Sequence, residues 1–176
     1  MTMSLGAHGA RSKLGASQGS SQRVVCAPWK GCRRDLMHLF MLADDSIAEI
    51  ERYMLSGELL VAAKGQAIIG HAQLIPNERA DEYELKSIAV LEEFQGQDVG
   101  SKLVLAAMRY CRDNGAMRMK VSTSIAAFDA IRFYLRRGFR ISGFQRDAFT
   151  VARGYPADAE LGGLPLNDAV EFELGL

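Results

Sequence analysis

The run Gln95-Gly96-Gln97-Asp98-Val99-Gly100-Ser101 constrains this chain most, because it joins an apolar strand-like stretch, Leu85 to Leu91, to a strongly helical one, Val99 to Asn114. A glycine-bearing turn between a strand and a helix leaves backbone N–H groups uncovered, and the helix that follows aims the positive end of its dipole at the same place. The expectation is a cradle for a phosphate-bearing ligand. Such a loop is common to many folds, so its neighbours must say which one is present.

The periodicities around it give that context. Arg23 to Ala27 reads as a strand closed by Pro28. Asp35 to Leu42 is apolar around most of its circumference, which predicts a largely buried helix. Asp44, Asp45 and Ser46 supply helix-start chemistry for a second helix, whose Ile47, Ile50, Tyr53 and Met54 share one face before Gly57 ends it. Leu59 to Ala63 and Ala67 to Ile75 form a hairpin about Gly65. After a loop from Pro76, Glu84 to Leu91 reads as a central strand. The helix from Val99 stops at Asn114-Gly115. Met117 to Thr123 is a strand, Phe128 to Arg137 a helix stopped by Gly138, and Phe139 to Phe144 a strand with room to continue to Phe149. Glycines and prolines from Gly154 to Pro165 mark a long loop, and Val170 to Leu174 alternates as a last strand. The predicted order is β-α-α-β-β-β-α-β-α-β-β, an α/β chain with a mixed sheet and no internal repeat.

With 176 residues and 48% hydrophobic content, one domain with a substantial core is expected over residues 22–176, preceded by a Gly/Ser/Ala-rich flexible tail over 1–21. The tail has no apolar run of signal-peptide length, and no segment reaches the 18 or so apolar residues a membrane helix needs. Three cysteines, Cys26, Cys32 and Cys111, show no metal-ligand spacing and cannot all pair, which fits a reducing, cytoplasmic setting. No metal is expected. Net charge is zero but polarised: residues 40–98 carry 4 basic and 12 acidic side chains, residues 99–153 carry 11 and 3. Two solvated faces of opposite sign explain this blandly; a basic part facing an anionic ligand and an acidic part facing a cationic one explain it functionally. Nucleic-acid binding is disfavoured by the zero net charge and by arginines without interleaved aromatics.

Downstream, Ile131-Arg132-Phe133-Tyr134-Leu135-Arg136-Arg137-Gly138-Phe139 is a helix ending in glycine with a tyrosine in its last turns. Loop and tyrosine together resemble the GNAT superfamily of acyl-CoA-dependent N-acetyltransferases, with Gln95, Gly100, Phe133, Tyr134, Gly138 and Phe139 on its motif positions. The predicted element order is that of the GNAT fold, and the ending from Arg140 to Leu176 resembles a bacterial subgroup. The resemblance implies that acetyl-CoA binds with its pyrophosphate on Gln95, Gly96, Gln97, Asp98, Val99, Gly100 and Ser101, and its pantetheine along the backbone of Ile88, Ala89 and Val90. It implies Tyr134 as the group that meets the thioester sulfur. Glu84, five residues before Ala89, falls where a subset of the family carries a general base, with Asp81 and Glu82 as loop alternatives and His71 as a further one. Three positions depart from the pattern: Asp98 replaces a glycine, Glu92 a proline and Ala127 an asparagine.

Asp98 matters most, since two unit charges about 6 Å apart repel by about 3 kcal/mol at an effective dielectric of 20. It is expected to tolerate a left-handed turn and to direct its carboxylate away from the phosphates, with capping of the helix through the N–H of Gly100 or Ser101 as a further option. The alternative is a disabled cofactor site. An alkylamine acceptor of pKa about 10.4 must lose a proton at neutral pH, a cost of roughly 4.6 kcal/mol, so a base is required. A phenol of pKa about 10 facing a thiol of about 8.5 serves better as a hydrogen-bond donor than as a full acid. Arg132, Arg136 and Arg137 read as a solvated helix face, with contact of one of them with the CoA 3′-phosphate as the alternative that the resemblance implies. Cys111, inside a helix, is not expected to form a covalent intermediate.

These expectations combine into acetyl transfer from acetyl-CoA to a primary amine by direct attack. The acidic stretch from Asp44 to Glu58 suggests a small cationic acceptor. Acetylation of a protein lysine or N-terminus, or a non-catalytic acyl-CoA-binding relative, are the alternatives. The Val170, Phe172 and Leu174 stripe suits either a homodimer surface or a core strand.

Overall fold

The computed structural model describes residues 23–79 and 81–176; the expected tail over residues 1–21 lies outside the described residues. The chain runs β1 (Val24–Pro28), α1 (Met37–Phe40), α2 (Ile47–Tyr53), β2 (Glu58–Lys64), β3 (Ala67–Pro76), β4 (Glu82–Val90), α3 (Val99–Asp113), β5 (Arg118–Ser124), α4 (Phe128–Leu135), β6 (Arg140–Gln145), the short hairpin β7 (Glu160–Leu161) and β8 (Leu164–Pro165), and β9 (Ala169–Gly175). Seven strands form one sheet in the order β1-β2-β3-β4-β5-β9-β6, antiparallel except where β4 meets β5.

The alternation of β2 distributes its apolar side chains to both faces. Leu60 and Ala62 join Leu103, Val104, Ala107 and Cys111 of α3 on one side; Leu59 and Val61 join Leu39, Phe40, Ile50 and Met54 of α1 and α2 on the other. Each buried face is thereby covered by helices, as a sheet with a parallel pair at its centre requires.

Several expectations change in detail. The segment around residues 35–42 is a 3₁₀ turn, Arg33–Leu36, followed by the one-turn α1, because Met41 and Leu42 emerge from the core at 49% and 56% exposure. β4 begins two residues early, at Glu82, whose carboxylate is buried. β6 ends at Gln145 as an edge strand and does not continue to Phe149, and the long loop contains a hairpin that the glycines and prolines alone did not announce. β9 inserts between β5 and β6, which puts Val170 and Phe172 at 2% and 0% exposure, so that stripe is core and not a free dimer surface.

The site is created by an interruption at the sheet's centre. In the β3–β4 ladder Gln73 faces Ser87 and Leu74 faces Leu85, which leaves Lys86 as an extra residue, a β-bulge. The bulge shifts the phase of β4. Leu85 packs against the α3 side, while Ser87, two residues on, meets His71 on the α1 side. Pairing of β4 with β5 stops at Glu84 and Lys120, so from Leu85 to Val90 one edge of β4 has no strand beside it.

Candidate active site

Two cavities occupy the opening between β4 and β5. One, of about 590 Å³, is lined by Ile88, Ala89 and Val90, by Gln95, Gly96 and Asp98 to Ser101 at the start of α3, and by Phe133, Tyr134 and Arg137 of the α4 segment. The other, of about 700 Å³, is lined by Glu84 to Ile88, by Asp44, Asp45 and Glu49, and by Lys120 to Ser124, Ala148, Arg153 and Tyr155. Leu42, Ile88, Ala130 and Tyr134 line both. The exposure of Leu42, an oddity for a core helix, follows from this place at the junction.

In the first cavity, most of the cradle is backbone. Gly96 has φ +71° with nothing within 4 Å of where a Cβ would stand, and Asp98 follows at φ 59°, ψ 12°. Gln95 donates back to the Val90 carbonyl at 3.0 Å and Gln97 to the Glu93 carbonyl at 2.8 Å, which holds the loop against the end of β4. Asp98 keeps the left-handed turn as expected, but its side chain makes no cap. Capping needs an extended backbone at that position, and the left-handed one turns the carboxylate away from the N–H groups of the first helical turn. The carboxylate is left exposed.

Gly100 serves a different purpose from Gly96. A Cβ there would lie 3.0 and 3.2 Å from the Phe133 ring. The glycine of the loop and the phenylalanine of the downstream motif thus fit together, which brings the N-terminus of α3 against α4. Arg137, read from sequence as solvated, crosses the Phe133 ring at 3.5 Å and donates to the Phe133 carbonyl at 2.9 Å and to the Ser101 hydroxyl. Its Nε is buried without a partner among the described residues. Burial pulls the pKa of this guanidinium down and the nearby Asp98 opposes that shift, so the unexpected carboxylate has a cation close by. Arg136 and Arg137 both follow Leu135, the last helical residue, and no signal local to the sequence sets Arg137 apart. An open left-handed turn, the start of a 15-residue helix, an unpaired strand edge and a buried donor without a partner suit a ligand with anionic and amide groups.

Tyr134 stands between the cavities, 5% exposed, with Phe133, Phe139 and Phe172 rings 5.3 to 5.7 Å away. Burial drives its phenol well above the ordinary range, so the hydroxyl stays protonated and is a donor. Its packing and its place at the junction are compatible readings, and the ring cluster fixes its direction.

Glu84 lines the second cavity and pairs with Lys86 at 3.3 Å. The loop alternatives do not reach it: Asp81 pairs with Arg118 at 3.2 Å, and Glu82 is buried with Lys120 at 3.2 Å and Asn77 at 2.7 Å. His71 is fully buried, contacts Ser87 Oγ at 2.8 Å, and is pushed down to about 3 by burial and by His38. It is neutral structure. Burial raises the Cys111 thiol to about 12, which removes it as a nucleophile, and the three cysteines are free.

The contribution of Arg153 and Tyr155 to the wall of the second cavity had no sequence signal. Arg153, after β6, pairs with buried Glu49 of α2 at 2.9 Å, and Arg52 reaches the same carboxylate. Ser46 Oγ donates to the Arg153 carbonyl at 2.6 Å and Tyr155 to Asp44 Oδ1 at 2.8 Å. Among the described residues, no group of three or more His, Cys, Asp or Glu is placed to hold a metal ion, and no helix is long and apolar enough to cross a membrane.

Known proteins share this arrangement. The Acetyltransferase (GNAT) family profile matches residues 29–139. The uncharacterized N-acetyltransferase YvbK of Bacillus subtilis is 30% identical over 142 residues, which are 81% of this chain and 90% of the relative. The aminoalkylphosphonate N-acetyltransferase of Salmonella typhimurium is 40% identical over 62 residues, 35% of this chain and 40% of that one. Among solved structures, a GNAT family acetyltransferase from Elizabethkingia anophelis with acetyl-CoA bound superposes with a TM-score of 0.77 at 27% identity, over 87% of this chain and 98% of the other. With its split sheet, its helix-start cradle and its tyrosine between two cavities, the chain belongs to the GNAT family of acetyltransferases.

Proposed function

We propose that the protein transfers an acetyl group from acetyl-CoA to a primary amine of a small cationic molecule, with both substrates bound at once. The observation that carries this reading is the meeting of two cavities at Leu42, Ile88, Ala130 and Tyr134. An acyl donor lying in the first and an amine in the second would touch there, and no enzyme nucleophile is needed between them.

In this reading the backbone of Ile88 to Val90 aligns the donor arm, and the residues from Gln95 to Ser101, with Arg137 behind them, receive its phosphates. Glu84 takes the proton of the attacking amine, directly or through one water. The Lys86 ammonium, 3.3 Å from this carboxylate, holds it at the cavity wall. Tyr134 donates a hydrogen bond to the departing thiolate. Its raised pKa keeps the proton on the phenol and makes full transfer to sulfur more uphill than for a free tyrosine. Charge supports a cationic acceptor: five carboxylates line the second cavity (Asp44, Asp45, Glu49, Glu84 and Glu171) against three bases (Lys86, Lys120 and Arg153).

The test is steady-state kinetics with acetyl-CoA and a panel of a diamine, an aminoglycoside, an aminoalkylphosphonate and a neutral amine. Intersecting double-reciprocal lines are expected, with the cationic amines preferred. Parallel lines would overturn direct attack, and acetylation of neutral or acidic amines alone would overturn the acceptor class. Tight acetyl-CoA binding without turnover on any amine would favour the non-catalytic reading, for which exposed Asp98 in the cradle is the supporting observation.

A further inference from the structure

We propose that Asp44 is a specificity-determining residue of the acceptor cavity, holding a second ammonium group of the acceptor apart from the amine that is acetylated. This rests on the reading above that the acceptor is a cationic amine.

Asp44 lines the same cavity as Glu84 and Tyr134. Its Oδ1 accepts the Ser46 N–H at 3.0 Å and the Tyr155 hydroxyl at 2.8 Å. These two neutral donors fix the carboxylate without cancelling its charge. No Lys, Arg or His forms an ion pair with it among the described residues, whereas Glu49 has Arg52 and Arg153, and Glu84 has Lys86. Cationic partners have gone to the other two, and Asp44, equally well oriented, has been left with its charge facing a cavity.

The orientation is built by a distant part of the chain. Tyr155 is 6% exposed and sits on the segment between β6 and β9, which is fastened to the start of α2 by the Ser46 and Glu49 bonds to Arg153. Gly154, at φ +87°, passes so closely that a Cβ would stand 2.6 Å from Ser46 Oγ. Burial, and then the bond to Asp44, raise the Tyr155 phenol, so it remains a donor. This segment lies outside residues 29–139, the part matched by the family profile.

The chemistry separates acceptors by charge number. An amine must lose its proton to attack, so the ammonium held by Asp44 cannot be the nitrogen that reacts. A monoamine gains nothing from Asp44 in the reactive state, and a diamine keeps a cation for it.

The experiment compares wild type with D44N, which retains the shape and both acceptor bonds, and with Y155F. For 1,4-diaminobutane, D44N should raise KM about tenfold or more, the scale of one charge-assisted hydrogen bond, and Y155F should raise it less. The KM for butylamine should rise by a much smaller factor. Calorimetry in the presence of CoA with 1,4-diaminobutane as the probe, which cannot be acetylated without an acyl donor, should show binding to wild type that falls about tenfold in D44N. Equal effects on mono- and diamine, or probe binding indifferent to Asp44, would overturn the proposal while leaving acetyl transfer intact. Probe binding that depends on Asp44 without turnover of any amine would keep the subsite and overturn the reaction.

Discussion

The two cavities that meet at Tyr134 are built by opposite means. The first, proposed to take the cofactor, is made largely of backbone between Val90 and Ser101, arranged by a left-handed turn and the start of a helix. The second, proposed to take the acceptor, is made of side chains that come together across more than a hundred residues: Asp44 with Tyr155, Ser46 and Glu49 with Arg153. Backbone recognition tolerates many sequences provided the turn survives; side-chain recognition changes with each residue. A fold organised in this way can retain one donor while its acceptor varies.

Removing the fastener of the acceptor wall should have the largest effect. Glu49 is 6% exposed and its carboxylate is held below the usual range chiefly by Arg153. Glu49→Ala removes the charge-assisted bonds to Arg52 and Arg153, both of which still reach solvent, and should cost about 3 kcal/mol in urea denaturation, with acetyl-CoA affinity of the remaining folded protein unchanged. A matching loss of cofactor affinity would show that the two sides are not separable. Tyr134→Phe probes the junction: kcat should fall about 100-fold with acetyl-CoA binding retained, measured by stopped assays and calorimetry.

The third test lies behind the acceptor wall. His71, pushed down to about 3, stays neutral in the folded protein, while the unfolded chain takes up a proton as pH falls through about 6.5. Stability contributed by its neutrality is therefore lost between pH 6.5 and 3, and amounts to about 2 kcal/mol by pH 5. Glu49 and Glu82, both lowered, lose their contributions only as pH falls below about 4.5, so the interval from pH 7 to pH 5 isolates His71. His71→Gln should flatten the dependence of the urea midpoint across that interval. The smallest effect belongs to the cradle. Asp98→Gly relieves a left-handed non-glycine residue and removes a carboxylate beside the phosphate site, and should tighten acetyl-CoA binding about tenfold by calorimetry.

The contrast also explains what could be read before the fold was known. The turn at Gln95 to Ser101 and the helix that carries Tyr134 were legible because both are local, and their spacing survives in one dimension. The strands and helices were legible for the same reason, apart from elements whose form depends on partners: the short α1 ends early because Leu42 turns to the cavities, and β9 is core because it inserts between β5 and β6. Arg153 and Tyr155 lie among glycines and prolines that read as loop, and nothing near them in sequence points to Glu49 or Asp44. The failed cap at Asp98 is a subtler case. The residue type suited both a cap and a left-handed turn, and one backbone conformation excludes the other.

The end of the β4–β5 ladder at Glu84 and Lys120 has a thermodynamic consequence. A sheet that stops short at its centre has peptide groups on one edge that no neighbouring strand pairs. A ligand that completes those missing rungs binds the folded chain alone, and at a hundred times its dissociation constant it would add about 2.7 kcal/mol to the unfolding free energy. Amide exchange along Lys86 to Val90 should then slow with ligand concentration, so that the melting temperature of the protein reports how much acyl donor surrounds it.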